Sequence, residues 1–361
     1  MSTVKSERVL LSGNQAIGEA AVRAGCMAYF GYPITPQNEL PEYMSANIER
    51  NNGTFIQAES EIAAINMVIG ASAAGARVMT SSSSPGISLK QEGISFLAAM
   101  ELPAVIVNMT RGGPGLGNIS PAQSDYFQAT RGGGHGDYRV VVLAPNSVQG
   151  LVEDTFRAFD LADRYRTPVM ILGDGMLGQL REPVMLPEKI ESVPPRPYKL
   201  SGANGREARL IKSLILDAME LESHNWKLYR KYEMISREIA EAETAFLDDA
   251  RLVVTAFGTA GRIALGAVKR ARAEGKEIGL ICPKTLWPFP KELFQSVSRK
   301  CPDFCVFEMN TGQMVEDVKL SVVSNARVHF SGRPGGIVPT PLELYREILR
   351  IYNLVQSEER A

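Results

Sequence analysis

The residues best suited to chemistry begin at Gln57, in the stretch QAESEIAAINMVIG, where two carboxylates, Glu59 and Glu61, stand one residue apart. A strand-like run hands over to a helix here. Ile62 to Ala76 is almost all small or apolar, the composition of a helix buried on every side. An unpaired carboxylate at the mouth of such a helix must find a donor, find a cation or take up a proton. Helical period and helix polarity leave open which of the two acids is buried. Arg111 is a second candidate, because RGGPGLG follows the apolar run AVIVNM. An arginine at the C-terminal end of a parallel strand lies where α/β sheets bind ligands, and it can clamp a carboxylate bidentately.

The glycines of RGGPGLG and of RGGGHG, Arg131 to Gly136, let backbone approach a ligand closely. Neither loop has the spacing of a phosphate-binding GxGxxG or GxxxxGK[ST] motif. GDG at Gly173 to Gly175 is more tempting, since Asn204 follows Asp174 by 30 residues, close to the spacing that binds magnesium in thiamine-diphosphate enzymes. In those enzymes a helix fills the interval, whereas here it contains five prolines, Pro183, Pro187, Pro194, Pro195 and Pro197. GDG is therefore read as a turn, and the chain as one with half a thiamine site.

Composition narrows the partners. The 361 residues are enough for two or three domains. With 39 basic against 40 acidic side chains there is no electrostatic reason to expect nucleic acid or an anionic membrane. The polar N-terminus and the lack of ~18 to 20 uninterrupted apolar residues argue against a signal or membrane span, so a cytoplasmic protein is expected. Cys26, Cys282, Cys301 and Cys305 lack the close regular spacing of an iron–sulfur cluster, and the three histidines are far apart. No metal is expected on this chain, and any electron carrier should lie outside it.

The elements that must position these residues alternate short β-branched runs with helices up to about Leu180, the pattern of a mostly parallel sheet covered on both faces. Strands are expected at Cys26–Gly31, Arg77–Thr80, Ala104–Met109, Arg139–Ala144 and Pro168–Leu172. A helix capped by Asn146 or Ser147 should run to about Asp163. The division predicted is an α/β domain over 1–180, a proline-rich linker over 181–204, a helical hairpin over 205–250 turning near Ser223 to Asn225, and a smaller α/β domain over 251–361.

GYPITP, ESEIAA, SSSSPGISLKQEG, RGGPGLG, QATRGGGHGDYR, LWPFP and EMNTGQM together resemble the alpha subunit of 2-oxoacid:ferredoxin oxidoreductases over nearly the whole chain. Within that family the chain looks most like the 3-methyl-2-oxobutanoate (2-ketoisovalerate) type, with the 2-oxoglutarate type next. The resemblance implies a pyrimidine-binding domain for thiamine diphosphate, then a transketolase C-terminal-like domain. It also implies a beta subunit holding the diphosphate and Mg2+, a gamma subunit, an iron–sulfur subunit, coenzyme A and a 2-oxoacid as substrates, and ferredoxin as acceptor.

The motifs also assign roles by resemblance. Glu61 corresponds to the glutamate that contacts N1′ of the aminopyrimidine and favours its imino form, a task suited to a partly desolvated carboxyl. Thr35 and Arg111 match positions that contact the 2-oxoacid. Pro33 and Ile34 would present backbone and apolar surface to the pyrimidine, and Ser83 and Ser84 occupy a loop resembling TSGPG. The implied reaction is oxidative decarboxylation with acyl transfer to coenzyme A. Two readings compete with it: a complete thiamine enzyme acting as a homo-oligomer, with GDG on magnesium, and a non-catalytic assembly subunit.

Overall fold

The computed structural model describes residues 8–193 and 195–359, so Pro194 of the linker and residues 1–7, 360 and 361 lie outside the described residues. The first unit runs β1 (Val9–Ser12), α1 (Gly13–Arg23), β2 (Ala28–Gly31), α2 (Glu39–Asn47), β3 (Thr54–Gln57), α3 (Glu61–Ala73), β4 (Val78–Ser82), α4 (Ser84–Ala99) and β5 (Ala104–Thr110). It continues through α5 (Tyr126–Arg131), β6 (Val141–Leu143), α6 (Val148–Tyr165), β7 (Pro168–Asp174), α7 (Gly175–Gln179) and β8 (Arg181–Val184). The second runs α8 (Ala218–Ile239), β9 (Ala242–Ala245), β10 (Leu252–Thr255), α9 (Gly258–Ala273), β11 (Ile278–Pro283), β12 (Thr285–Trp287), α10 (Lys291–Ser298), β13 (Asp303–Glu308), α11 (Met314–Ser321), β14 (Arg327–Gly332) and α12 (Pro341–Glu359).

The chain has an α/β fold. Its larger sheet has the order β12-β6-β7-β5-β4-β2-β3, parallel except where β12 joins β6 antiparallel. The central strands are buried along their whole length, which is why β5 begins with the apolar run AVIV and not with an alternation. Helices α3 and α4 pack together on one face, and α1 packs with α2 and α6 on the other. Ser147 caps α6 by accepting from Gly150 N at 3.0 Å. The smaller sheet has the order β14-β13-β10-β11-β9, with β9 antiparallel at its edge.

The two units are tied together. β12, from the LWPFP motif, extends the sheet of the first unit through Trp287 and Val142. The EMNTGQM motif works as a clasp: buried Glu308 accepts from the backbone N–H groups of Gln313, Met314 and Val315 at the start of α11. Beside it, Asn310 donates to Gln123 O and Gln123 donates to Phe257 O. Burial raises the Glu308 carboxyl above its usual range.

Three expectations need correction. Residues 205–250 are not a helical hairpin, since α8 is a single helix whose N-cap Asp217 accepts from Glu220 N at 2.8 Å. The supposed turn lies inside it, where His224 Nε2 bonds to Ala99 O at 2.9 Å. Leu210 and Leu214, spaced like a helical stripe, are 76% and 69% exposed on non-helical chain. A short helix with no surface to pack on is marginal in water. Secondly, the first part of the 181–204 linker is the strand β8, paired antiparallel with β1, and the second sheet starts at β9, before residue 251. Thirdly, α3 is not buried on every side: Ala64, Ile65 and Val68 face the core, while Ile62, Asn66, Met67 and Gly70 are exposed. The composition was that of a covered helix, and this chain covers only the side facing α4 and the sheet.

Candidate functional site

The C-terminal ends of β2, β3, β4 and β5 lie side by side, because these strands are parallel neighbours, and each feeds a candidate residue into one edge of the sheet. Pro33, Ile34 and Thr35 follow β2, Glu61 follows β3, the serines follow β4 and Arg111 follows β5.

Of the two acids, Glu61 is the buried one, 6% exposed, and Glu59 points outward. Ser60 makes the difference, because as N-cap of α3 it accepts from Ala63 N at 3.1 Å and sets Glu61 as the first helical residue. The Glu61 carboxylate lies against Gly86, where a Cβ would come within 2.5 Å of Oε1 and would also strike Ser82 Oγ. Ser82 Oγ and Ser83 Oγ are buried and have no partner among the described residues. The Glu61 carboxylate and Ser82 Oγ thus crowd the same glycine, a position that admits no side chain.

Arg111 is nearly buried and firmly placed. Its Nη1 donates to Thr35 O at 3.0 Å and its Nη2 to Leu116 O at 3.2 Å, while Nε has no partner among the described residues. Its backbone N–H donates to Ser84 Oγ at 3.0 Å, so that hydroxyl is spent on holding the arginine loop. Ser84 N in turn donates to Asn108 Oδ1 at 3.1 Å, and Asn108 Nδ2 to Asp125 at 2.9 Å. Ile34 and Thr35 are half-buried, and Pro33 is exposed at the rim.

Sequence reasoning missed Lys90 and Ser82. Lys90 is fully buried on α4, its Nζ donating to Thr80 Oγ1 at 2.6 Å and to Ser81 O at 3.0 Å. The available signal was SLKQEG: a lysine between Ile87 and Ile94 on the inner face of a helix, four residues after Gly86. Burial pulls its ammonium down to about 7, and the charge of Glu61 opposes that fall.

GDG is structural. Asp174 Oδ1 accepts from Met176 N and Leu177 N, both at 3.1 Å, and from Thr259 Oγ1 at 2.8 Å. The carboxylate caps α7 and ties β7 to α9, and burial raises it above the usual range. Two clefts of about 860 and 990 Å3 run along α8, beside Arg139, Glu233, Trp287 and Lys291, and neither Glu61 nor Arg111 borders them. No helix among the described residues is long and apolar enough to cross a membrane.

Residues 19–242 match the family model described as pyruvate flavodoxin/ferredoxin oxidoreductase, thiamine diP-bdg, and residues 250–344 match pyruvate:ferredoxin oxidoreductase core domain II. The ketoisovalerate oxidoreductase subunit VorB of Methanothermobacter marburgensis is 47% identical over 344 residues, 95% of this chain and 97% of that one. The 2-oxoglutarate synthase subunit KorA of Methanothermobacter thermautotrophicus is 36% identical over 374 residues, 96% of this chain and 99% of that one. Among solved structures, a 2-oxoglutarate:ferredoxin oxidoreductase from Magnetococcus marinus superposes with a TM-score of 0.86 at 26% identity. That match covers 96% of this chain and 65% of the longer one.

Proposed function

The chain belongs to the 2-oxoacid:ferredoxin oxidoreductase family, and from that premise we propose that it is the alpha subunit of a heteromeric enzyme oxidising 3-methyl-2-oxobutanoate to the acyl-coenzyme A. The 2-oxoacid loses CO2 and two electrons, which leave singly for iron–sulfur clusters and then ferredoxin, and the acyl group passes to the coenzyme A thiol. The identity to VorB, 47% against 36% for KorA, favours the branched-chain substrate.

The observation behind this reading is the group at Glu61: one buried carboxylate, a glycine that admits no Cβ, and the buried hydroxyls of Ser82 and Ser83, which have no partner among the described residues. These residues fit the aminopyrimidine of thiamine diphosphate, a flat ring with nitrogens to be paired on its edge. When bound, that cofactor supplies the nucleophilic carbon and the sink for the electron pair that CO2 leaves behind. Glu61 would hold the proton facing the ring nitrogen, with Ser82 and Ser83 meeting polar atoms of the ring. Pro33 and Ile34 would give the ring an apolar wall. Thr35 would hydrogen-bond the 2-oxoacid, and the Arg111 guanidinium would hold its carboxylate.

The diphosphate and Mg2+ would sit on a beta subunit, because Asp174, the one motif suggestive of magnesium, is already engaged by its own backbone and by Thr259. Exposed apolar side chains border the site: Ile62, next to Glu61, is 50% exposed, and Leu116, whose carbonyl holds Arg111, is 79% exposed. Such side chains beside a half-built polar site suit a surface that another subunit covers. The iron–sulfur clusters are assigned to partners as well, since Cys26, Cys282, Cys301 and Cys305 are all buried and scattered. A gamma subunit and an iron–sulfur subunit complete the complex, which would work in the cytoplasm.

The test is to purify the chain alone and with its partner subunits, then assay 3-methyl-2-oxobutanoate, 2-oxoglutarate, pyruvate and aryl 2-oxoacids with coenzyme A and ferredoxin. Activity is expected only in the complex, greatest with 3-methyl-2-oxobutanoate, and abolished by Glu61→Gln. Tight thiamine-diphosphate binding and turnover by the isolated chain would sink the divided site. Unchanged oxidation in Glu61→Gln would leave this subunit a scaffold.

A further inference from the structure

We propose that the second α/β unit serves the reaction as a clamp on the carboxylate-binding loop, with Gln123 as its positioning residue. This deepens the reading of Arg111 given above and rests on it. Between Arg111 and α5 the chain runs out and back as a hairpin. Arg111 bridges Pro121, Gly112 N donates to Ser120 O at 2.9 Å, and Asn118 N donates to Gly112 O at 2.9 Å. The outgoing strand continues β5, so the sheet fixes its direction. The returning strand, Asn118 to Asp125, is held by its own unit where Thr110 Oγ1 donates to Ala122 O and Asn108 Nδ2 to Asp125.

Much of its fastening comes from the second unit. Gln123 is 3% exposed, and both its backbone and its side chain are spent there. Its backbone N–H donates to Met309 O at 3.0 Å and its Nε2 to Phe257 O at 2.8 Å. In return, its Oε1 accepts from Met309 N at 3.1 Å and its backbone O from Asn310 Nδ2 at 2.9 Å. On either side, Asn118 Nδ2 donates to Gly335 O at 2.9 Å, and Gln313 Nε2 donates to Ser124 O at 2.8 Å.

The place where Gln123 lands sets this contact apart from ordinary packing. Phe257 follows β10 and Met309 follows β13, and the strand order β14-β13-β10-β11 reverses between these two parallel neighbours. Such a crevice is where open α/β sheets take their ligands. Here the first unit fills it. Gln123 bonds the chain leaving both strands, and Asp174 supplies the carboxylate at the N-terminus of α9, accepting from Thr259 Oγ1 at 2.8 Å, where an anion is favoured. Gly258 lies between them with φ of 55°, and a Cβ on it would come 3.0 Å from Gln123 Nε2. An amide that donates and accepts against fixed backbone groups sets both distance and angle. The second sheet thus grips the returning strand two residues from Pro121, the partner of Arg111. Glu61 follows a different strand, β3, so a loosened clamp should reach the 2-oxoacid and spare the cofactor.

The experiment uses the assembled complex carrying Gln123→Leu, which keeps most of the bulk and removes the side-chain hydrogen bonds. Two quantities are read: amide hydrogen exchange over residues 112–121, and KM and kcat for 3-methyl-2-oxobutanoate with thiamine diphosphate saturating. Hairpin exchange and KM should each rise by about tenfold, with kcat and thiamine-diphosphate affinity within about twofold of wild type. A merely structural role would lower the active fraction, cutting kcat and leaving KM unmoved, and that result overturns the inference. If Gln123→Leu fails to fold, Asn118→Ala, at an exposed position, decides: both readings should rise by about threefold, and unmoved values overturn the inference equally. Failure of the Arg111 reading looks different. Hairpin exchange would then rise in Gln123→Leu while neither that variant nor Arg111→Lys changes KM, whereas a KM moved by Arg111→Lys alone counts against the clamp.

Discussion

The carboxylate of Glu61 rests on the backbone of Gly86: its Oε1 lies 2.5 Å from where a Cβ on that glycine would be. The first residue of α3 and the first turn of α4 thus share one space, and a single methyl group must displace the acid. Gly86→Ala is expected to lower thiamine-diphosphate affinity of the complex by roughly 100-fold, with an overpacking cost of about 1–3 kcal/mol. Gly93→Ala is the control, since it meets only Ile65 two turns along and should cost similar stability while leaving affinity within about threefold. Equal loss of affinity in both variants would mean that the packing of α3 on α4 matters and the acid's position does not.

Arg111 offers a separate test of substrate recognition. Its fork spans Thr35 O and Leu116 O, a geometry that a lysine cannot reproduce. Arg111→Lys should raise the KM for the 2-oxoacid by about 10- to 100-fold and leave thiamine-diphosphate affinity nearly unchanged. A drop in kcat alone, with KM unmoved, would remove Arg111 from carboxylate binding and leave it a brace for its loop.

The legible parts of this fold were those whose pattern comes from burial within the chain. The runs RVMT, AVIVNM and PVMIL became β4, β5 and β7 because their strands are covered on both faces, and the polar side chain of Ser147 was enough to start α6. What misled was apolar sequence that this chain does not cover. Leu210 and Leu214 imitate a helical stripe, and Ile62 and Met67 make α3 look enclosed. At the site, composition could not separate Glu59 from Glu61, because the deciding feature is the Ser60 cap, a backbone geometry. Lys90 was overlooked for a related reason: a lysine in a helix is normally a solvated side chain, and this one is buried with its amine on Thr80 and Ser81 of β4.

The aspartate of GDG is expected to matter for stability and not for metal. Asp174→Asn would turn an amide toward the Thr259 N–H, which now lies 3.4 Å from Oδ2, and disturb the hydroxyl bond to Oδ1. The expected loss is about 1–3 kcal/mol in denaturant unfolding, with Mg2+-dependent cofactor binding by the complex unchanged. If magnesium dependence disappears in a variant that still folds, Asp174 is a metal-site residue and the divided-site reading is wrong.

Asp154 gives a prediction about pH that is independent of the site. It lies on α6, 1% exposed, with Oδ2 lacking a partner among the described residues. Burial pushes its carboxyl up to about 7 from an ordinary 3.8, against the opposing charges of Lys284 and Arg157. The folded chain therefore keeps a proton that the unfolded chain releases, so this group's stabilisation is full below pH 3.8 and is lost as pH rises through about 7. Asp154→Asn stays neutral throughout and removes that slope. Its stability relative to wild type should rise between pH 5 and pH 8, reaching on the order of 2–4 kcal/mol in its favour, since each pKa unit corresponds to about 1.4 kcal/mol. Denaturant unfolding of both proteins at the two pH values measures this directly, and a difference that does not vary with pH would show that Asp154 is ionised in the folded chain.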